Sequence, residues 1–130
     1  MATNHSFVFF RVLQRSELGG DGPPGPLGSL GVPLTPERSL AVDDHFLPLG
    51  APVWVAGAMP FIPEGIDRAP SADGARPVGT RPLRRLMVAQ DTGGAIRGPV
   101  RGDVFWGAGE SAREVAGYMK HPGSLWVLLP

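Results

Sequence analysis

Apolar residues in this chain fall into short runs broken by glycine, proline and small polar residues. Ser6–Leu13 is rich in β-branched and aromatic residues and predicts a strand. Alternation puts Phe7 and Phe9 on one face and Val8, Phe10 and Val12 on the other, so both faces are apolar. Such a strand is buried on both sides or docks on a further element. Strands are also predicted at Ser39–Val42, ending in Asp43-Asp44, and at Pro52–Ala56. Leu83–Gln90 reads as a strand running into Asp91, and Asp103–Trp106 and Ser124–Leu129 read as two more. One helix is predicted, over Ser111–Met119. Ser111 and Glu114 make a capping box, and Ala112, Val115, Ala116 and Met119 an apolar stripe. His121-Pro122-Gly123 ends it. Residues 14–31 read as a turn-rich loop, Phe46–Gly50 as a turn, and 58–82 as a mobile Pro/Gly-rich insertion.

Composition sharpens the class. Glycine (19) and proline (15) make up about a quarter of the 130 residues, roughly twice the usual share. A mainly helical fold is excluded, while 42% hydrophobic residues argue against disorder throughout. The expectation is a single all-β domain with one short helix. Formal net charge is zero, so neither nucleic acid nor an anionic membrane surface is indicated as the main partner. No apolar run is long enough to span a bilayer, and Met1–Ser6 shows no basic segment followed by a long apolar core, so no signal peptide is expected. The chain has no cysteine, which removes disulfides, thiolate chemistry and Cys-based zinc sites. His5, His45 and His121 are widely spaced, show no ligand pattern and are expected at the surface.

The chemistry concentrates in Asp91-Thr92-Gly93-Gly94-Ala95-Ile96-Arg97-Gly98 and Gly102-Asp103-Val104-Phe105-Trp106-Gly107. Each aspartate lies where a strand-like run meets glycines, which permit positive φ and close approach of a ligand. Two carboxylates held in this way are the minimum for acid–base work on a sugar linkage.

With these two motifs go Ser6–Arg11, Gly31–Ser39, Ala41-Val42-Asp43, Leu47-Pro48-Leu49-Gly50 and Leu125–Leu128. Together, and in this order, they resemble the MltA family of membrane-bound lytic murein transglycosylases, in particular its C-terminal 3D (three-aspartate) domain. The resemblance covers nearly the whole chain. It implies a six- to seven-stranded double-psi β-barrel spanning residues 1–130. It also implies non-hydrolytic cleavage of the MurNAc-β-1,4-GlcNAc bond of peptidoglycan, leaving 1,6-anhydroMurNAc ends, with no metal or organic cofactor. By position Asp103 is the acid/base, Asp91 its carboxylate neighbour and Asp43 the first of the three aspartates. Protonated Asp103 would donate to the glycosidic oxygen, then accept the proton of the muramic C6 hydroxyl as it attacks C1. Proximity of that hydroxyl supplies much of the rate, and no second carboxylate has to activate water. Phe105, Trp106 and Asp91 are expected to keep Asp103 protonated near neutral pH. Backbone N–H groups of Thr92-Gly93-Gly94 are candidates for holding Asp91 or sugar oxygens. Arg97 and Trp106 are candidate substrate contacts.

By the resemblance, the family's N-terminal segment and inserted second domain are expected to be missing from this chain. A homodimer or a complementing N-terminal half would complete the barrel, and the doubly apolar Ser6–Leu13 suits such docking. Peptidoglycan glycan strands are the implied partner, and membrane attachment would come only through a full-length parent's lipid anchor. The implied compartment is the periplasm or the outer-membrane side.

Plainer roles stand beside these. Aspartates at glycine turns commonly serve as caps or Asx-turns, a role that suits Asp43 best, and Asp44 reads as a solvated turn residue. Of Trp54, Trp106 and Trp126, two are expected in the core. Arg81, Arg84 and Arg85 read as a solvated edge that resists aggregation, with peptide-stem carboxylates as an alternative partner. Asp91-Thr92-Gly93 is also the triplet of aspartic proteases. Gln90 stands where those enzymes have an apolar residue, however, and Asp103 would be left without a role. A non-catalytic glycan-binding barrel, similar to expansin-like modules, would use the same cleft without turnover.

Overall fold

The structure is a computed structural model that describes Val12, residues 25–62 and residues 79–129. The expected strand Ser6–Leu13 lies outside the described residues except for Val12, as does the first part of the 14–31 loop. Five strands and one helix are present among the described residues: β1 (Ser39–Val42), β2 (Pro52–Phe61), β3 (Gly79–Thr92), β4 (Gly102–Val104), α1 (Glu110–Tyr118) and β5 (Gly123–Val127). They form one sheet in the order β4-β1-β3-β2-β5, curled into a half-barrel. β1 runs parallel to β3, and the other three pairings are antiparallel. The domain is therefore mostly β with one short helix, as the sequence implies, with five described strands against the six to seven expected.

Alternation along the strands builds the core. Val53 and Val55 of β2 point inward, as do Leu83, Met87 and Ala89 of β3. They meet Leu40 and Val42 of β1, and Leu47 from the turn after it. Full burial of each large aliphatic side chain stabilises the fold by about 1.5–3 kcal/mol.

Three expectations are corrected. The insertion expected at 58–82 is strand at both ends, because β2 runs on to Phe61 and β3 begins at Gly79, with Pro60 opposite Thr80 and Pro82 opposite Ala58. Both prolines lie where their strand pairs on one side only among the described residues, which is where a missing N–H is tolerated. The capping box does not form. Gly109, at φ 88°, is the N-cap, no side-chain hydrogen bond caps the helix N-terminus among the described residues, and Ser111 lies inside it. Of the expected stripe, Val115 and Met119 pack on the core, whereas Ala116 is exposed and no residue of α1 is fully buried. The tryptophans are inverted as well. Trp54 (39% exposed) and Trp126 (51%) face outward as direct cross-strand partners, while Trp106 packs against the core.

Candidate active site

β1 is flanked by the two strands that carry the central carboxylates. Ala41 is opposite Asp91 of β3 on one side and opposite Asp103 of β4 on the other. The three residues form one row across the sheet, so the aspartate Cα atoms are about 10 Å apart, two strand spacings. This row depends on an irregularity. Leu40 pairs with Ala89 but Ala41 with Asp91, so β3 carries one extra residue, Gln90, at this point. A bulge of this kind re-aims the following side chain and here sets Asp91 in line with Asp103. Ser39 donates its hydroxyl to Gln90 Oε1 and accepts the Thr35 N–H (2.8 Å), which ties the bulge to the preceding turn. Alanine between the carboxylates leaves room, and a cleft of about 180 Å³ is lined by Asp91, Asp103, Ala41, Leu34 and Phe105.

Asp91 is held by a residue far away in sequence. Its Oδ1 accepts the Ser29 N–H (3.0 Å) and the Ser29 hydroxyl (2.9 Å), and Ser29 Oγ also lies 2.8 Å from Thr92 Oγ1. The expected anchor, the Thr92-Gly93-Gly94 backbone, is not used for this among the described residues. Gly93 instead closes its own turn by accepting the Ile96 N–H (2.9 Å). Ser29 is brought there by a loop whose Leu30 N–H donates to Gln90 (3.0 Å).

Asp43 is buried at the end of β1 and accepts the Gly98 N–H at 2.8 Å. Its other oxygen accepts the His45 N–H (3.2 Å) and lies 3.0 Å from His45 Nδ1. The Gly98 N–H, with the His45 contacts adding to it and burial opposing, holds the Asp43 carboxyl below the ordinary carboxylate value. Asp43 thus pins the far end of the Asp91–Gly98 turn, and Gly98 itself takes φ 92°, a conformation suited to glycine. His45 is exposed, whereas His121 is half-buried rather than at the surface. Oxygens of Asp43 and Asp44 and a His45 nitrogen lie within 4.8 Å of one another.

Asp103 is 53% exposed and is not enclosed by Phe105 and Trp106 as expected. Arg101 forks onto it, with Nε and Nη2 each 3.3 Å from a carboxylate oxygen, while Nη1 donates to the Ala95 carbonyl at 2.7 Å. Sequence reasoning missed Arg101 and Ser29. Arg101 is two residues from Asp103, a spacing that places both on one face of a strand. Ser29 gives no comparable local signal. Arg97 is exposed and lines neither the cleft nor the groove beside Asp103. Trp106 lines that groove. Arg85 pairs with Glu37 at 2.7 Å, while Arg81 and Arg84 are exposed.

Residues 38–129, the segment containing all three aspartates, match the family model described as the 3D domain. The chain belongs to the 3D domain family. Family membership accounts for Asp91-Thr92-Gly93 without an aspartic-protease arrangement. Over 125 residues this 3D domain is 34% identical to membrane-bound lytic murein transglycosylase A of Vibrio cholerae. That match takes in 96% of this chain and 28% of the relative, so the chain spans well under half of the relative's length. Among solved structures, MltA from Neisseria gonorrhoeae aligns with a TM-score of 0.66 and 45% identity over 82% of this chain and 22% of that one. Escherichia coli MltA with bound chitohexaose aligns with a TM-score of 0.60 and 31% identity over 80% of this chain and 28% of that one.

Proposed function

We propose that this 3D domain carries the acid/base carboxylate of a peptidoglycan lytic transglycosylase, with Asp103 as the proton-transfer group. The observation that carries the reading is the single row Asp91–Ala41–Asp103, open to a cleft, within a domain related to MltA. A neutral β-1,4-linked glycan, the class of ligand bound by the E. coli relative, is the substrate scaffold. Asp103 donates its proton to the glycosidic oxygen as the bond to C1 breaks. The muramic C6 hydroxyl closes on C1, its proton returns to Asp103, and the product carries a 1,6-anhydro ring. Water is not consumed, which sets this route apart from two-carboxylate hydrolysis. Asp91, fixed by Ser29, stands across the row and supports the positive charge that develops at C1. Asp43 keeps the turn between them in place. Thr92, Gly93 and Gly94 carry the chain from Asp91 into the turn that Asp43 pins, and Trp106 offers an aromatic wall to a sugar in the groove beside Asp103. The names of the relatives support a location in the cell envelope. Among the described residues no helix is long and apolar enough to cross a membrane.

Arg101 occupies both oxygens of Asp103, and one must be released before it can hold a transferable proton. The contacts are long for a charge-assisted pair and the partners are about half exposed, so opening the fork costs at most about 1 kcal/mol. The same engagement is what favours the second reading, a glycan-binding barrel without turnover. Mass spectrometry of peptidoglycan after incubation separates the two. Anhydro-muropeptides from the wild-type chain, absent with a folded Asp103→Asn variant, support catalysis. Glycan binding without product from either protein supports the binding module, and full activity of Asp103→Asn would sink the role given to Asp103.

A further inference from the structure

Asp103 stands on a ridge between two hollows. On one side is the cleft shared with Asp91. On the other is a larger groove of about 480 Å³ between β4 and the C-terminal end of α1, lined by Arg101, Lys120, His121, Trp106 and Met119. A neutral glycan gives no reason for cations there. Lys120 is exposed and makes no ion pair among the described residues, and Arg101 and Lys120 outnumber Asp103, the one acid of the lining. His121 Nδ1 is buried without a hydrogen-bond partner among the described residues, so this wall is one polar partner short. Val104, Trp106 and Met119 add apolar walls, which lower the local dielectric and strengthen a charge contact.

We propose that this groove binds a carboxylate of the peptide stem that the muramic sugar carries. The proposal rests on the reading of Asp103 as the acid/base of a transglycosylase, because the stem is attached to the sugar whose C1 would be attacked. Arg101 joins the two hollows. Its guanidinium is anchored by Nη1 on Ala95, and its Nε and Nη2 are held on Asp103 only by long contacts. An incoming carboxylate next to Lys120 offers those donors a bidentate partner of the same geometry. Moving the fork to the stem releases the Asp103 oxygens. Stem recognition and readiness of Asp103 would then be one event. The groove thus takes over the role weighed for Arg81, Arg84 and Arg85, of which Arg85 is occupied by Glu37.

The test uses soluble probes and does not require turnover. Titration calorimetry measures binding of N-acetylmuramyl-L-alanyl-D-glutamate, of the same compound with its carboxylates amidated, and of chitohexaose. Wild type is expected to bind the acidic probe at least about tenfold tighter than the amidated one, the worth of one hydrogen-bonded charge contact. Lys120→Gln should remove most of that difference, Lys120→Arg should restore it, and chitohexaose binding should not change. Lys120 is exposed, so neither variant is expected to disturb folding. Equal binding of the two muramyl probes, or discrimination that survives in Lys120→Gln, would overturn the proposal. Discrimination without any anhydro product from peptidoglycan would keep the carboxylate site and refute the catalytic reading. Anhydro product without discrimination would do the reverse.

Discussion

Asp43 never has to touch a sugar to matter, because its carboxylate is an acceptor for the backbone of the turn that follows Asp91. Its folded-state pKa is depressed, first by the Gly98 N–H. A depressed carboxyl contributes stability at pH values above its unfolded pKa, near 3.9, and that contribution is lost as pH falls through the folded value. Replacing Asp43 with Asn keeps the shape but removes the charged acceptor. The variant is expected to unfold at lower denaturant than wild type at pH 7. The gap should narrow as pH drops from about 4 downward, where wild type loses the same contribution. Unfolding midpoints measured from pH 7 to pH 3 check this, and a gap that stays constant would show that the charge of Asp43 plays no part. At this scale the motifs made Asp43, Asp91 and Asp103 legible, since Asp43 and Asp91 stand at strand ends beside turns and Asp103 lies in the short strand β4 next to Gly102. Their partners were not. Ser29 reaches Asp91 across 62 positions, and no local pattern encodes such a pairing. The surroundings of Asp103 were misjudged for a related reason. Phe105 and Trp106 follow it in sequence, but β4 ends at Val104 and the carboxylate is left about half exposed, with Arg101 in the position beside it.

The loop at 25–34 is an element without regular structure that nevertheless positions half of the row. Leu27 bridges Pro33, the Gly28 N–H donates to Val32 (3.0 Å), and the Leu34 N–H donates to Pro26 (2.8 Å), so the loop closes on itself. Gly28 is its point of closest approach to β3. A Cβ built there would lie 2.3 Å from the Gln90 carbonyl oxygen and 2.7 Å from the Leu34 side chain. Backbone cannot yield as a flexible side chain can, so Gly28→Ala is expected to destabilise the fold by about 1–3 kcal/mol. Hydrogen exchange should localise the effect, with lost protection at Leu30 and Leu34 and unchanged protection at Val53 and Met87. Uniform loss throughout would mean that the loop and the sheet unfold as one unit. Composition alone labels this segment a flexible loop. The same bias toward proline and glycine concealed the ends of β2 and β3, where Pro60 and Pro82 lie in end segments that pair on one side only among the described residues. The bulge at Gln90 is likewise invisible to a period-two reading, because it appears only when the register of two strands is compared.

For the molecule as a whole, the two sides of the sheet differ in how they treat aromatic residues. The outward row Trp126–Trp54–Leu86 is exposed across three adjacent strands, while Trp106 sits between the core and the groove beside Asp103. Alternation in sequence separates the faces of a strand but does not say which face meets the core. Tryptophan suits either, having a large apolar body and a polar N–H. The expectation of two tryptophans inside therefore fails on assignment: Trp54 and Trp126 do lie in strands, β2 and β5, but β4 ends at Val104, short of the strand expected through Trp106. This distribution makes the three indoles separate reporters. In wild type, acrylamide should quench most of the emission, which comes from Trp54 and Trp126. In a Trp54→Phe, Trp126→Phe double variant the remaining emission, from Trp106, should be bluer and markedly less quenched. Both replacements are at exposed positions, where changes to stability are usually within about 0.5 kcal/mol. Added N-acetylmuramyl-L-alanyl-D-glutamate should alter the Trp106 signal in this variant, since Trp106 and the cationic residues line one groove. In the reciprocal Trp106→Phe variant the probe should leave the emission of Trp54 and Trp126 unchanged. A response there and none from Trp106 would move the ligand from the groove to the outward aromatic row.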